Sequence, residues 1–430
     1  MKNFYSLVAA ALLLPASAMA EGINIEGATQ LFDKNISEYY ATDFRTTHVS
    51  LAACGEALVL NFGDGTTPIV INPQTGEKLG EINLGSADAT GSVASDCAGN
   101  MLICNFSASG TTFKVWKTSS VTAEPVEIIS LDHNTSLDLG ARLHVQGDLN
   151  GDAQIVATMA GLYAQHIYRW VVTGGVIGEP ELVQIEGVGQ WYQGSSNAKA
   201  IAHSAKPADG YYVGHYQGGA DEFYYVNGET LTATNFVKET GESAWAYAPN
   251  SGDSRAFNGK HYTAVLELSY FPGWAVSSYA YIYETTDPTT LTGAIAENAL
   301  KEIEITVQTA VEGSNAADMV LDAVCDPTAD VLLFPYGDNL LAYFVTTSDL
   351  DLVGYAIPAD GSGVKDAVAA KGLRAYGVKG AIVVENNGAT VEVFNAAGAA
   401  VARTRDSQIS VAPGLYIVKV AGRTQKVFVK

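Results

Sequence analysis

The sequence predicts an all-β protein, in which a six-bladed β-propeller is followed by a small C-terminal antiparallel β-sandwich. Short apolar strands separated by turns fill residues 41–360, and units of four such strands recur along this stretch. The composition agrees with this fold class, because 43 glycines suit turns and 22 tyrosines suit strands. Helical periodicity is not needed to explain any part of this body.

The four-strand units form a loose internal repeat. Their third strands are spaced by 44 to 62 residues, a period typical of propeller blades. These third strands begin near Ile69, Phe113, Ile167, Phe223, Tyr279 and Leu341. We count six blades, and seven remain open if a strand around Leu31 and Phe32 closes an extra ring.

Residues 1–20 have the features of a secretory signal peptide. Lys2 precedes an apolar run from Leu7 to Leu14, and Ala18-Met19-Ala20 is an Ala-x-Ala cleavage site. The apolar run is too short for a permanent membrane anchor. We therefore expect a secreted protein without a transmembrane segment, with a propeller over residues 21–362, a linker over 363–369 and a last domain over 370–430.

The last forty residues alternate apolar and polar side chains in short strands, separated by AAG, APG and AGR turns. This ending resembles the C-terminal sorting domain of type IX secretion cargo. The likeness lies in Gly414, Tyr416, Lys419 and the basic strand that ends at Lys430. It implies export through the periplasm to the surface of a Gram-negative bacterium, with the type IX machinery as a partner.

Charge is unevenly distributed along the chain. Residues 370–430 carry a balance of +6, whereas residues 21–369 carry −29. So acidic a body argues against nucleic acid and anionic membranes as partners. The change of sign also supports a domain boundary near residue 365.

Two sets of residues are possible disulfide or metal sites. The four cysteines, in an oxidising compartment, allow three pairings that the sequence does not distinguish; they are Cys54, Cys97, Cys104 and Cys325. Asp148, Asn150 and Asp152 have the spacing of a calcium loop, but Ala153 and Val156 stand where such loops need Gly and an acid. We favour an Asx-rich turn there and expect no metal and no cofactor.

No sequence motif assigns an activity. The Asp-box of sialidases, the WD40 signatures, a Gly-x-Ser-x-Gly elbow, a His-Glu-x-x-His helix and a P-loop are all absent. The segments PIVINPQTGEKLG and RLHVQGDLNGDAQIVAT resemble secreted propeller proteins that are grouped as domains of unknown function. That resemblance implies a fold and no activity.

One arrangement suggests a ligand site. Basic residues stand near the start of four candidate innermost strands, and neighbouring loops carry aromatic residues that can stack on a sugar or peptide. The candidate ligand-binding residues are Arg45, Arg142, Lys199, Arg255, Tyr40, Trp191, Tyr192, Trp245 and Trp274. The other interpretation is that the basic groups neutralise nearby acids and the aromatic groups pack loops.

We therefore expect a non-catalytic, secreted or surface-exposed module that binds glycan or an acidic extracellular ligand. The alternative from another class is a propeller glycosidase or polysaccharide lyase, in which an Arg–Tyr or His pair transfers the proton. A third reading is a purely architectural protein with a plugged channel. The residues that line the channel mouth distinguish the three.

Overall fold

The computed structural model describes the chain in segments and divides it into two units, Met1–Gly361 and Ser362–Lys430. The described segments are 22–39, 48–160, 166–188, 199–215, 222–238, 247–269, 277–308, 328–360, 375–384, 390–395, 399–420 and 423–429. Within them, regular structure consists of β-strands and short 3₁₀ turns, so the prediction of an all-β protein is confirmed. Among the described residues, no helix has the length and apolar character to cross a membrane.

The first three sheets of unit 1 follow one another along the chain, and their strands are antiparallel. The first sheet contains β2 (Ser50–Cys54), β3 (Ala57–Asn61), β4 (Ile69–Ile71) and β5 (Lys78–Glu81). The second contains β6 (Val93–Ser95), β7 (Met101–Cys104), β8 (Thr112–Thr118) and β9 (Val126–Asp132). The third contains β10 (Asp138–Gly147), β11 (Ala153–Ala160), β12 (His166–Thr173), β13 (Val176–Ile177) and β14 (Glu181–Gln184).

The next three sheets repeat this order, and the last one also takes in the first strand of the chain. The fourth contains β15 (Ala200–Ala202), β16 (Tyr211–His215), β17 (Glu222–Val226), β18 (Ala233–Lys238) and, in parallel, β22 (Gly293–Ala294). The fifth contains β19 (Tyr247–Phe257), β20 (Lys260–Ser269), β21 (Ser278–Glu284) and β23 (Lys301–Ile305). The sixth contains β24 (Ala329–Tyr336), β25 (Asn339–Thr346), β26 (Asp351–Pro358) and β1 (Thr29–Asn35).

The first strands of the six sheets form a closed series of neighbours. In chain order, β2, β6, β10, β15, β19 and β24 each contact the next, and β24 contacts β2 again. The two ends of unit 1 also meet in one sheet, because β1 pairs antiparallel with β26, with Asn35 opposite Asp351. The stretch around Leu31 and Phe32 therefore completes the sixth sheet and does not start another.

Each pair of neighbouring sheets encloses its own apolar core. Side chains alternate along a strand, so β3 sends Leu58 and Leu60 into the core shared with the sixth sheet and Val59 into the core shared with the second. Six cores of this kind join the six sheets in order. Each fully buried aliphatic side chain contributes about 1.5–3 kcal/mol, so these cores hold the sheets together.

Unit 2 contains two antiparallel sheets that share one apolar core. One sheet consists of β27 (Ala375–Val378), β28 (Ala381–Val384) and β31 (Gln408–Ser410). The other consists of β29 (Val391–Asn395), β30 (Ala400–Thr404), β32 (Gly414–Val420) and β33 (Arg423–Val429). Gly414 begins β32, Tyr416 is buried and donates its hydroxyl to the Ala412 carbonyl at 2.8 Å, and Lys419 is exposed. Lys430 lies outside the described residues.

Candidate functional site

Of the basic residues predicted to bind a ligand, three are described, and all three are buried. Arg142, Lys199 and Arg255 retain only 1%, 5% and 2% of their accessible surface. The other candidates lie outside the described residues; they are Arg45, Tyr40, Trp191, Tyr192, Trp245 and Trp274. The structure therefore brings together the basic part of the predicted site, but inside the protein and not at a rim.

Lys199 is held in an ion pair that joins distant parts of the chain. Its Nζ lies 2.6 Å from Oδ1 of Asp330 on β24. The same carboxylate accepts a hydrogen bond from the Ser251 hydroxyl at 2.6 Å and one from the Leu51 amide at 2.9 Å. Four sheets thus meet at Asp330, because β2, β19 and β24 contribute groups to it and Lys199 immediately precedes β15.

Arg255 and His144 share a second buried carboxylate, Asp253. One guanidinium nitrogen of Arg255 lies 3.0 Å from Asp253 Oδ1, and His144 Nε2 lies 2.8 Å from it. The Leu333 amide donates to the other oxygen at 2.8 Å. Burial alone would raise the pKa of Asp253, but Arg255 and His144 outweigh it and hold that pKa below its usual value.

The protonation state of His144 follows from its contacts. Burial lowers its pKa to about 4, so the ring is neutral at pH 7. A neutral ring has one donor nitrogen. Nδ1 accepts from the Ala202 amide at 3.2 Å, so Nε2 carries the proton and donates it to Asp253.

Arg142 binds backbone carbonyls that lie on or beside two other sheets. It donates to the Ala329 carbonyl at 2.9 Å and to the Val49 carbonyl at 3.3 Å. Burial lowers its pKa to about 10, which leaves it charged at neutral pH. An irregular register between Asp138 and Arg142 positions it, and Gly140 makes this possible with φ +99° and a Cβ position only 2.0 Å from the Asn105 carbonyl oxygen.

These contacts give the three basic residues one shared role, which is to connect the first strands of the sheets. Arg255 shows this best, since it donates to Ser95 O of the second sheet at 2.8 Å and to Val145 O of the third at 3.0 Å. The sequence interpretation overlooked Asp253 and Asp330 because acids are numerous in this chain. For Asp253, alternation is the signal that could have found it, since Asp253 and Arg255 are two residues apart on one strand and so share a face.

A second group of buried polar residues lies where β26 begins. The carboxylate of Asp349 accepts from the hydroxyls of Ser278, Ser348 and Thr346, yet burial raises its pKa to about 6. Burial and the nearby Asp33 and Asp349 raise the pKa of Asp351 to about 8. Both carboxyls are almost inaccessible to solvent, which disfavours their charged forms at the sheet that β1 completes.

The candidate calcium residues form a hairpin turn. The Asn150 amide donates to Asp148 Oδ1 at 2.8 Å, and the Gly174 amide donates to Asp152 Oδ1 at 3.0 Å. The Lys117 ammonium donates to Asn150 Oδ1 at 2.6 Å, where a calcium loop would present that oxygen to the metal. In the described part of the chain, no three His, Cys, Asp or Glu side chains are grouped to hold a metal ion.

Three of the four cysteines are described, and all three are free thiols. Cys54 and Cys104 are buried, and Cys97 is exposed. Burial raises the pKa of Cys54 and of Cys104 to about 11. Cys325 lies outside the described residues.

The described surface of unit 1 includes two openings of several hundred Å³. A depression of about 520 Å³ lies on the outer strands of the fourth sheet, beside Phe236 and Glu297. A cavity of about 430 Å³ lies between the first and sixth sheets, beside Leu58 and Phe334. The second has the size of a small-molecule site and a mostly apolar lining.

Comparison with known proteins gives a family and a fold. Residues 30–358 match the family described as a domain of unknown function, DUF8500. No curated protein matches the chain. Among solved structures, a DUF4623 family protein from Bacteroides eggerthii is similar with 13% identity and a TM-score of 0.51, over 79% of this chain and 76% of that one.

Two carbohydrate-related structures are similar at lower scores. They are the α-L-arabinanase of Penicillium chrysogenum (11% identity, 78% of this chain, 99% of that one, TM-score 0.42) and the aldose sugar dehydrogenase of Streptomyces coelicolor (13%, 79%, 100%, TM-score 0.36). Structural likeness at such identities concerns the fold alone. By the match over residues 30–358, the chain belongs to the DUF8500 family.

Proposed function

We propose that this member of the DUF8500 family is a six-bladed propeller that serves as a non-catalytic binding module outside the cell. Six sheets of successive strands, a closed series of first strands and a first strand that completes the last sheet all support the blade count. A shared apolar core supports a sandwich for unit 2.

The observation that carries this proposal is the use of Arg142, Lys199 and Arg255 as internal connections. Each donates to groups on other sheets and is buried. A propeller axis that is cross-linked by ion pairs is a rigid support and not a substrate passage. The ligand is therefore bound on an outer face of the propeller.

The outer face that we favour is the one where the first strands begin. In the sequence, the segments that precede these strands, together with the segment that follows β20, contain Tyr40, Trp191, Tyr192, Trp245 and Trp274. Aromatic rings supply stacking surfaces for sugar rings, so a glycan is the ligand that this composition fits. An acidic ligand loses its main support, since the described basic candidates are engaged internally.

Export by type IX secretion is part of the proposal. It rests on the signal-like N-terminus and on the strand that carries Gly414, Tyr416 and the exposed Lys419. Residues 370–430 then act as a sorting signal, and unit 1 binds the glycan.

A glycan array with the full mature chain tests the function. We expect binding to at least one glycan, and loss of that binding in the Trp191→Ala/Trp245→Ala variant. Phe236→Ala, an exposed aromatic on the fourth sheet, serves as the control and retains binding. Unchanged binding by the double Trp variant overturns the assignment to this face.

A further inference from the structure

The cavity between the first and sixth sheets opens at one end of the first strands of unit 1. Glu56 and Ala57 follow the end of β2, and Tyr336 and Asn339 stand at the hairpin that ends β24. These residues therefore surround the cavity where the first strands end, whereas the face proposed above for glycan binding is the one where the first strands begin. Its volume of about 430 Å³ is within the range of small-molecule sites.

The walls of this cavity are fixed by the core behind them. Leu58, Leu332 and Leu341 belong to the core that joins the first and sixth sheets and are at most 3% exposed. Tyr343 donates its hydroxyl to the Pro73 carbonyl at 3.0 Å. Its ring packs at 6.0 Å from that of Phe32, so the apolar wall is preformed and a ligand does not have to order it.

The rim carries four polar side chains, those of Glu56, Gln74, Tyr336 and Asn339. Within the described part of the chain, none of these four side chains forms a hydrogen bond. Amide groups donate and accept, a carboxylate accepts, and a phenol does both. This set matches the hydroxyl groups of a sugar, while the 40% exposed Tyr336 ring offers a stacking face.

The negative charge in and around the cavity favours neutral sugars over acidic ones. Among the described residues that line the cavity, Glu56 is the one with a charged side chain, and the body around it is strongly acidic, with a balance of −29 over residues 21–369. A uronate or a sialic acid would be repelled and would find no basic partner in the lining. A neutral sugar has no such penalty.

We propose that this cavity is a second binding site, which takes a neutral sugar ring and excludes acidic sugars. The ring packs one face on Tyr336 and places its hydroxyl groups against Asn339, Gln74 and Glu56. This site is separate from the aromatic loop face, so it extends the proposed function and does not depend on Trp191 or Trp245.

Calorimetric titration of the full mature chain tests the site, with cellotriose, xylotriose and maltotriose as neutral probes and trigalacturonate as the acidic probe. We expect at least one neutral probe to bind and trigalacturonate not to bind. Tyr336→Ala weakens binding about ten-fold through loss of the stacking face, and Asn339→Ala weakens it about five-fold through loss of one hydrogen-bonding group. Phe236→Ala, matched in exposure at 40%, leaves affinity within two-fold.

Glu56→Gln adds a test of the charge argument. It keeps the shape of the rim, and we expect it to preserve neutral binding and to admit trigalacturonate. The site is overturned if no neutral probe binds, if trigalacturonate binds the wild type as tightly, or if both Tyr336→Ala and Asn339→Ala retain full affinity. If Tyr336→Ala loses neutral-probe binding while the Trp191→Ala/Trp245→Ala variant leaves glycan-array binding unchanged, only the assignment of the first glycan site is overturned and the cavity site stands.

Discussion

Lys199 Nζ lies 2.6 Å from Asp330 Oδ1, and the two residues are 131 positions apart in the sequence. Their side chains are 6% and 2% exposed. Lys199 immediately precedes the first strand of the fourth sheet, and Asp330 is on the first strand of the sixth. An ion pair between them connects sheets that are not neighbours in the ring.

Removing one partner of this buried pair is costly, because the other charge is left without compensation. We expect Lys199→Met to lower the free energy of unfolding by about 3–5 kcal/mol. Urea denaturation followed by tryptophan fluorescence measures this. Lys78→Met is the matched control, since Lys78 and Glu81 form an exposed pair and exposed pairs contribute at most about 1 kcal/mol. Equal effects of the two variants would show that Lys199 is not an internal connection.

Arg255 is a connection that lysine cannot replace. Its two terminal nitrogens reach the Ser95 and Val145 carbonyls and Asp253 at once, which requires a planar fork. Arg255→Lys keeps the charge but leaves at least one buried carbonyl without a donor, so stability falls by about 2–4 kcal/mol. Thermal unfolding measures the loss. A fully stable variant that has lost ligand affinity would assign Arg255 to a binding site instead.

The two buried carboxyls at β26 give stability an unusual pH dependence. The folded pKa of Asp351 is about 8 and that of Asp349 about 6, both above the ordinary 3.8. The folded state therefore holds these protons longer than the unfolded state, and the stability that they contribute is complete below pH 4 and declines as pH rises through 6 and 8.

Asp351→Asn isolates this effect, because asparagine resembles the protonated acid and does not titrate. We expect the variant to match the wild type near pH 4 and to become more stable than it as pH rises to 8. Buried histidines act in the opposite sense, since burial lowers the pKa of His48 and of His144 to about 4. Their contribution cancels in the difference between variant and wild type, measured as the melting temperature across pH 4–9. A constant difference would contradict the assigned shifts.

The described cysteines should differ in reactivity. Cys97 is exposed and Cys54 and Cys104 are buried, while burial raises the pKa of all three thiols. Iodoacetamide should label Cys97 in the folded protein and reach the other two only after unfolding. Peptide mass spectrometry distinguishes them, and early labelling of Cys104 would contradict its packing against Ser92.

The role of the last domain as a sorting signal can be tested by deleting it. Deletion of residues 370–430 should leave a folded unit 1 in the periplasm, because its six cores are formed by residues before 361. Cell fractionation locates the protein. Arrival of the truncated chain at the cell surface would show that these residues are not needed for export.

The sequence predicted the all-β class because its signals are local. Alternation in segments such as Ala57–Asn61 assigns side chains to opposite faces, and the spacing of the predicted third strands reveals the repeat. The prediction was wrong for the sixth sheet, because Leu341 lies on β25, its second strand, and β26 is the third. It did not predict the buried network, because the partners of Lys199 and Arg142 come from strands more than ninety residues away. Nothing local distinguishes an arginine at a rim from one that donates to the Ala329 carbonyl.

The cavity escaped prediction for the same reason. Glu56, Pro73 and Asn339 are ordinary turn residues in the sequence, and only the meeting of the first and last sheets brings them together. A site made where a chain closes on itself has no signature in either segment alone.

The most direct test of a non-catalytic binding module is to follow a bound glycan through time. The full mature chain is incubated with the glycans that it retains on an array, and the sugars are then analysed by mass spectrometry. We predict that they are recovered intact after binding. Shortened or unsaturated products that form only when the protein is present would contradict the proposal. They would assign the protein to the glycosidases or lyases.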